Sequence, residues 1–271
     1  MIEWDDFDYD DEDRGERGPD DYERSARETL EQFFESHRAG VFFGNQLAVM
    51  NEDKFFHWII HRAIADLVES GLIRTERKTL AIGSEIKLVW HRSNRYYKRE
   101  AARVVALVNE YGAPNMCAAL GLHGEQMVLA AFAKRQFLLI GHNTRRFGDR
   151  EWRQSDHNLD FIFERDGQVY GIEVKNTLSY MDQSEFETKI SLCESLGIAP
   201  VFAVRMLPRT WNYELIERGG YAMILKHQLY PWTHVDLARK VAKEFGLPVD
   251  APKALADGTM IKFEKWHRKR L

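Results

Sequence analysis

The segment 159–176, "LDFIFERDGQVYGIEVKN", constrains the fold more than any other stretch of this 271-residue chain. Two apolar runs flank Asp166 and Gly167, a residue pair that readily forms a two-residue hairpin turn. On a strand, residues two apart share a face. Ile172 and Val174 therefore point into a core, while Glu173 and Lys175 stand side by side on the opposite face. Such a pair is either an ion pair on an exposed sheet or part of a site. Asp160 lies 13 residues before Glu173, on the partner strand, and antiparallel neighbours bring such residues within reach of each other.

The elements around the hairpin predict an α/β domain, a mixed sheet flanked by helices, over about residues 114–250. A helix from about Gly124 to Arg135 and the apolar run "QFLLIGHN" precede the hairpin. A helix "SEFETKISLCESLG", a strand "PVFAVRML", a helix "TWNYELIERGG", a strand "YAMILK" and a helix "THVDLARKVAKEFG" follow it. Glu125 then falls in the first turn of its helix, where a carboxylate also complements the helix dipole.

This set of groups suits metal-assisted phosphodiester hydrolysis. A hard divalent cation takes oxygen ligands, and Asp160 and Glu173 offer two, with the Val174 carbonyl as a third. Magnesium keeps bound waters, one of which can act as nucleophile. Lys175 can orient that water or stabilise charge on the phosphate; with a lowered pKa it can also serve as a base. Glu125 is placed to hold a second ion or a metal-bound water.

"LDFIFERDGQVYGIEVKN", with "GEQMVLAAF" upstream, resembles the PD-(D/E)xK nuclease superfamily, which includes restriction enzymes, archaeal Holliday junction resolvases and mismatch-type endonucleases. The likeness covers about residues 115–210, with Leu159 where the motif has proline. It implies a restriction-endonuclease-like fold. Asp160 matches the motif's Asp, Glu173 and Lys175 its (D/E)xK, and Glu125 the helical Glu. It further implies a Mg2+- or Mn2+-dependent endonuclease acting on DNA, and a homodimer if both strands are cut. The alternatives are a protein that keeps the nuclease fold as a nucleic-acid-binding scaffold without cutting, and an RNA-directed nuclease.

The first half reads differently. Residues 25–95 predict helices followed by a hairpin, which resembles a winged helix-turn-helix. The long helix "DKFFHWIIHRAIADLVESG" is the candidate recognition helix, with Phe56, Ile60, Ile64 (or Ala63) and Leu67 along its buried stripe and Lys54, His57, His61 and Arg62 as exposed, nucleic-acid-binding positions. Two short strands, around 72–75 and 85–90, would form the wing. Residues 96–113 read as a connecting helix ending at Gly112 and Pro114. In the second half, "TRRFGDREWR" interleaves Arg145 and Arg146 with aromatic residues, a composition for backbone contact and base stacking. Arg205, a charge in an apolar strand, is a candidate phosphate ligand. Asn176, Gln183 and Lys189 follow the motif and read either as phosphate-facing or as solvated surface.

The net charge of −4 conceals an asymmetry. Residues 1–24 carry 12 acidic against three basic residues and read as a disordered acidic tail. The remaining 35 basic and 30 acidic residues leave a mildly basic body, and residues 251–271 read as a basic C-terminal segment. Two cysteines far apart fit a reducing cytoplasm rather than a disulfide framework or zinc site. No apolar run approaches the roughly 20 residues of a membrane span, so no membrane partner is expected.

Overall fold

The computed structural model describes residues 20–271, which divide into two compact units. The first comprises the described residues up to Cys117 together with Lys240–Leu247; the second is Ala118–Arg239 with Pro248–Leu271.

The first unit runs α1 (Asp21–Ser36), β1 (Val41–Phe43), α2 (Gly44–Met50), α3 (His57–Glu69), β2 (Ile73–Thr79), β3 (Glu85–His91) and α4 (Tyr97–Tyr111). Its three strands lie in the order β1-β3-β2, with β2 and β3 an antiparallel hairpin longer than the wing expected from sequence. Leu30 and Phe34 of α1 pack with Ile60, Ile64 and Leu67 of α3 in one core. Phe56, expected on that buried stripe, is instead the residue preceding α3 and only partly buried.

The acidic-tail reading needs correcting at its boundary. Residues 1–19 lie outside the described residues. Asp20 caps α1 by accepting from the Tyr22 and Glu23 N–H groups at 2.9 and 2.8 Å, so residues 20–24 are cap and first turn rather than tail. The expected connector also belongs to a core, because α4 buries Ala101, Val104, Leu107, Val108 and Tyr111.

The second unit contains α5 (Pro114–Lys134, from Ala118 on), β4 (Leu138–Thr144), a small β5–β6 hairpin (Arg146–Phe147 and Arg150–Glu151), β7 (Leu159–Arg165), β8 (Gln168–Lys175), α6 (Gln183–Leu196), β9 (Ala199–Val204), α7 (Arg209–Glu217), β10 (Tyr221–Ile224), β11 (Gln228–Leu229), α8 (Val235–Phe245), β12 (Val249–Asp250) and α9 (Asp257–Arg268). The last turns of α8 belong to the first unit. Five strands form a mixed sheet in the order β10-β9-β8-β7-β4. The pairings β4–β7 and β7–β8 are antiparallel, while β8–β9 and β9–β10 are parallel and joined by crossover helices α6 and α7.

Asp166 and Gly167 turn the β7–β8 hairpin with φ of 54° and 74°, the doubly positive geometry that the Asp-Gly pair favours. One sheet face packs Phe161, Phe163, Ile172 and Val174 with Met127, Val128 and Phe132 of α5. The basic C-terminal segment is more than a charged extension, because Met260 and Phe263 of α9 enter the same core. By length and composition α5 is long and apolar enough to cross a membrane, which the reading of short apolar runs missed.

Candidate active site

α6 covers the face of β8 that carries Glu173 and Lys175. Asp182 starts this helix by accepting from the Ser184 N–H at 2.7 Å, and Gly197 ends it in the left-handed conformation, φ 72°. Glu185 and Lys189 lie one turn apart on it. A helix rises about 6 Å in four residues and a strand about 6.6 Å in two, so two pairs of charges can face each other in step. Lys189 Nζ lies 2.5 Å from Glu173 Oε2, and Lys175 Nζ 2.8 Å from Glu185 Oε1. Glu173 is only 5% exposed, which removes the reading of an ion pair on an open sheet.

Asp160 stands one step beyond the Phe161–Ile172 pair of the β7–β8 ladder, opposite Glu173. The Val174 N–H donates to its Oδ2 at 2.7 Å, fixing the carboxylate. Burial lifts the Asp160 pKa, against the opposing effects of that hydrogen bond and of Lys189 and Lys175. Burial and the Asp160 charge push Glu173 up to about 8 despite its lysine partner. Glu125 is raised by burial and by the same Asp160 charge, with His142 opposing. Asp160 is thus electrostatically coupled to both glutamates, and burial is the largest cause of the upward shift in all three carboxyls. Burial pulls the Lys175 ammonium down, but the bond to Glu185 and the surrounding carboxylates outweigh it and hold its pKa above the usual value.

Glu125 sits well inside α5 rather than in its first turn, because the helix begins at Pro114, and its dipole-complementing role falls away. Among the described residues no three His, Cys, Asp or Glu side chains converge as a ready metal cage. The donors themselves suit a hard divalent ion: they are oxygens in an excess of negative charge, held by rigid elements. Asp160 and Glu173 would hold such an ion, with Glu125 beside them.

The expected nucleic-acid contacts fare unevenly. Lys54 is exposed, but it precedes α3, and its carbonyl accepts from the Tyr22 hydroxyl. His57, His61 and Arg62 are partly buried rather than presented to solvent. Burial drives His61 down to about 4, and Arg62 pairs with Glu23 at 2.7 Å while stacking over Trp58. α1 therefore reaches two of the expected positions, through Glu23 on Arg62 and Tyr22 on the Lys54 carbonyl. Arg145 and Arg146 border an open cavity of about 270 Å³ with Asn143, Thr144, Asp156 and Asn158, and each already has an acidic neighbour, Asp156 and Glu151. Arg205 is 6% exposed just past β9, and its backbone N–H donates to the Lys175 carbonyl.

Of the residues after the motif, Gln183 is exposed, whereas Asn176 and Lys189 are buried. Asn176 donates to the Leu120 and Leu229 carbonyls and accepts from the Leu229 N–H, a clamp that engages both polar atoms of its side chain. Sequence reasoning missed Glu185, and it read Lys189 as either phosphate-facing or solvated surface, whereas the side chain is buried against Glu173. A signal was present, since Lys189 falls in step with Phe186, Ile190 and Cys193 on the buried stripe of α6.

No protein-family model matches the chain, and no curated protein matches it. A solved structure, "Crystal structure of protein VC1899 from Vibrio cholerae", is similar at 13% identity with a TM-score of 0.27, over 84% of this chain and 52% of that one. The chain spans about half the length of that protein.

Proposed function

We propose that this protein is a divalent-metal-dependent endonuclease that hydrolyses phosphodiester bonds of DNA, with a restriction-endonuclease-like catalytic unit and a winged-helix-like N-terminal unit. The observation that carries the reading is Asp160 facing Glu173 across β7–β8 with Lys175 two residues on, all at one end of the sheet, with the Asp160 charge also felt by Glu125. The strand order supports it: an antiparallel meander β4-β7-β8, then a crossover helix to the parallel β9, as the resemblance implies.

When bound, a Mg2+ or Mn2+ ion would supply Lewis-acid charge for the phosphate and a source of hydroxide near neutral pH. The chain's own groups then have distinct tasks. Asp160, fixed by the Val174 N–H, and Glu173 hold the ion. Lys175, kept protonated and aimed by Glu185, places a cation against charge developing on the phosphate. The two-residue spacing puts Lys175 on the same face of the strand as Glu173, and the bond to Glu185 positions its ammonium.

One observation favours the scaffold alternative, a nuclease-fold protein that binds without cutting: Glu173 is already engaged by Lys189. A single experiment separates the two. Duplex, single-stranded, flapped and four-way DNA, plus RNA, are incubated with Mg2+, Mn2+ or chelator, using Asp160→Asn and Lys175→Ala as controls. The nuclease reading expects metal-dependent DNA cleavage reduced at least a hundredfold in both variants. Binding without cleavage, unchanged in the variants, supports the scaffold; cleavage restricted to RNA moves the substrate class.

A further inference from the structure

The side chain that engages Glu173 is itself unusual. Lys189 is 4% exposed, in the middle of a helix whose neighbouring buried positions are Phe186, Ile190 and Cys193. A fully buried ammonium is rare and has to be paired and hydrogen-bonded. Lys189 meets that need through Glu173 and through the Asn158 carbonyl, two residues before Asp160. It is thereby wedged between the strand end that carries Asp160 and the strand that carries Glu173.

Charge counting gives this position a consequence. The cluster contains four carboxylates, Glu125, Asp160, Glu173 and Glu185, against two ammonium groups, Lys175 and Lys189. With every carboxyl ionised, the state that binds a cation, the formal charge is −2, which one divalent ion neutralises; without Lys189 it is −3. We infer that Lys189 is a resident counter-cation which a divalent ion must displace from Glu173, so that this α6 lysine sets how tightly the site holds metal. The inference rests on the metal-site reading above. Lys189 acts as a positioning residue: it holds the buried carboxylate in place when no ion is bound and competes with the ion for Glu173 Oε2.

The direction of the effect separates this role from a merely structural one. Removal of a purely structural buried lysine loosens the site and weakens metal binding. Removal of a competing cation tightens it. The experiment compares Mn2+ binding by calorimetry, together with melting in the presence and absence of Mn2+, for wild type, Lys189→Met, Lys189→Arg and Asp160→Asn. The expected result is Lys189→Met melting several degrees lower without metal, binding Mn2+ at least tenfold more tightly than wild type, and gaining more in melting temperature on Mn2+ addition. Lys189→Arg keeps affinity near wild type. If Lys189→Met fails to fold, lysine 15Nζ spectra of the wild type decide: Mg2+ is expected to shift the Lys189 resonance, and an unmoved resonance at saturating Mg2+ overturns the inference. Mn2+ bound by wild type, lost in Asp160→Asn and unchanged or weaker in folded Lys189→Met overturns the Lys189 role alone. Absence of Mn2+ binding by the wild type overturns the metal-site reading and this inference with it.

Discussion

Asn176→Ala tests whether the residue after the (D/E)xK triplet is a clamp or a phosphate ligand. Asn176 is 2% exposed, and its Nδ2 donates to the Leu120 carbonyl of α5 at 2.8 Å and to the Leu229 carbonyl of β11 at 2.7 Å. Its Oδ1 accepts from the Leu229 N–H at 2.7 Å. Truncation to alanine removes all three bonds. The two carbonyls lose about 1 kcal/mol each, and the Leu229 N–H, left buried without a partner, costs about 1–3 kcal/mol more. The expected loss is about 3–5 kcal/mol, read by urea denaturation of the purified variant with the slope of the transition unchanged. Asn176→Asp, which changes one donor into an acceptor facing two carbonyls, is expected to lose at least as much. A loss below about 1 kcal/mol accompanied by collapsed activity would refute the clamp and restore the phosphate-facing role.

Three further outcomes follow from the same geometry. His61 is held near 4 by burial, below its unfolded value, so its neutral form stabilises the first unit above about pH 6.5. That contribution falls as pH drops toward 4, by up to about 1.4 kcal/mol per pH unit; His61→Phe flattens acid unfolding monitored by circular dichroism over this window, and an unchanged acid transition counts against the assignment. Tyr170 donates to His267 Nδ1 at 2.6 Å, and His267 Nε2–H donates to the turn residue Asp166 at 3.0 Å, pinning α9 to the β7–β8 hairpin. Tyr170→Phe is expected to cost about 1–2 kcal/mol in denaturation and to speed hydrogen exchange in α9. Glu185→Gln removes the partner that raises the Lys175 pKa, so the basic limb of the cleavage pH profile moves to lower pH, while a profile that does not move places Lys175 outside the chemistry.

The hairpin was legible because two local signals agree: Asp166-Gly167 dictates the turn, and the turn then dictates that Asp160 meets Glu173. What remained hidden depended on packing between distant segments. Pro114 reads as a stop signal after α4, yet proline is equally at home in the first turn of a helix, and α5 begins there. Glu185 and Lys189 form an ordinary i,i+4 pair in sequence; only the crossover of α6 back over β8 turns them toward Lys175 and Glu173. The surface expected of α3 was lost for a similar reason, since the periodicity of a helix shows which face is apolar but not that Glu23 of another helix will reach Arg62.

The division of the chain also bears on its synthesis. The first unit recruits Lys240–Leu247, where Phe245 meets Phe43 edge-to-face at 5.2 Å between ring centroids and its carbonyl accepts from the Gln46 side chain at 3.0 Å. A nascent chain that has reached residue 117 therefore holds its N-terminal helices and hairpin with one wall missing. More than a hundred residues later, after all five strands of the second sheet have emerged, the peptide that closes that wall arrives. The two units are thus committed to a shared schedule on the ribosome, and a gene fragment ending at residue 117 encodes a protein with Phe43 uncovered and Gln46 lacking that acceptor, prone to associate through that opening.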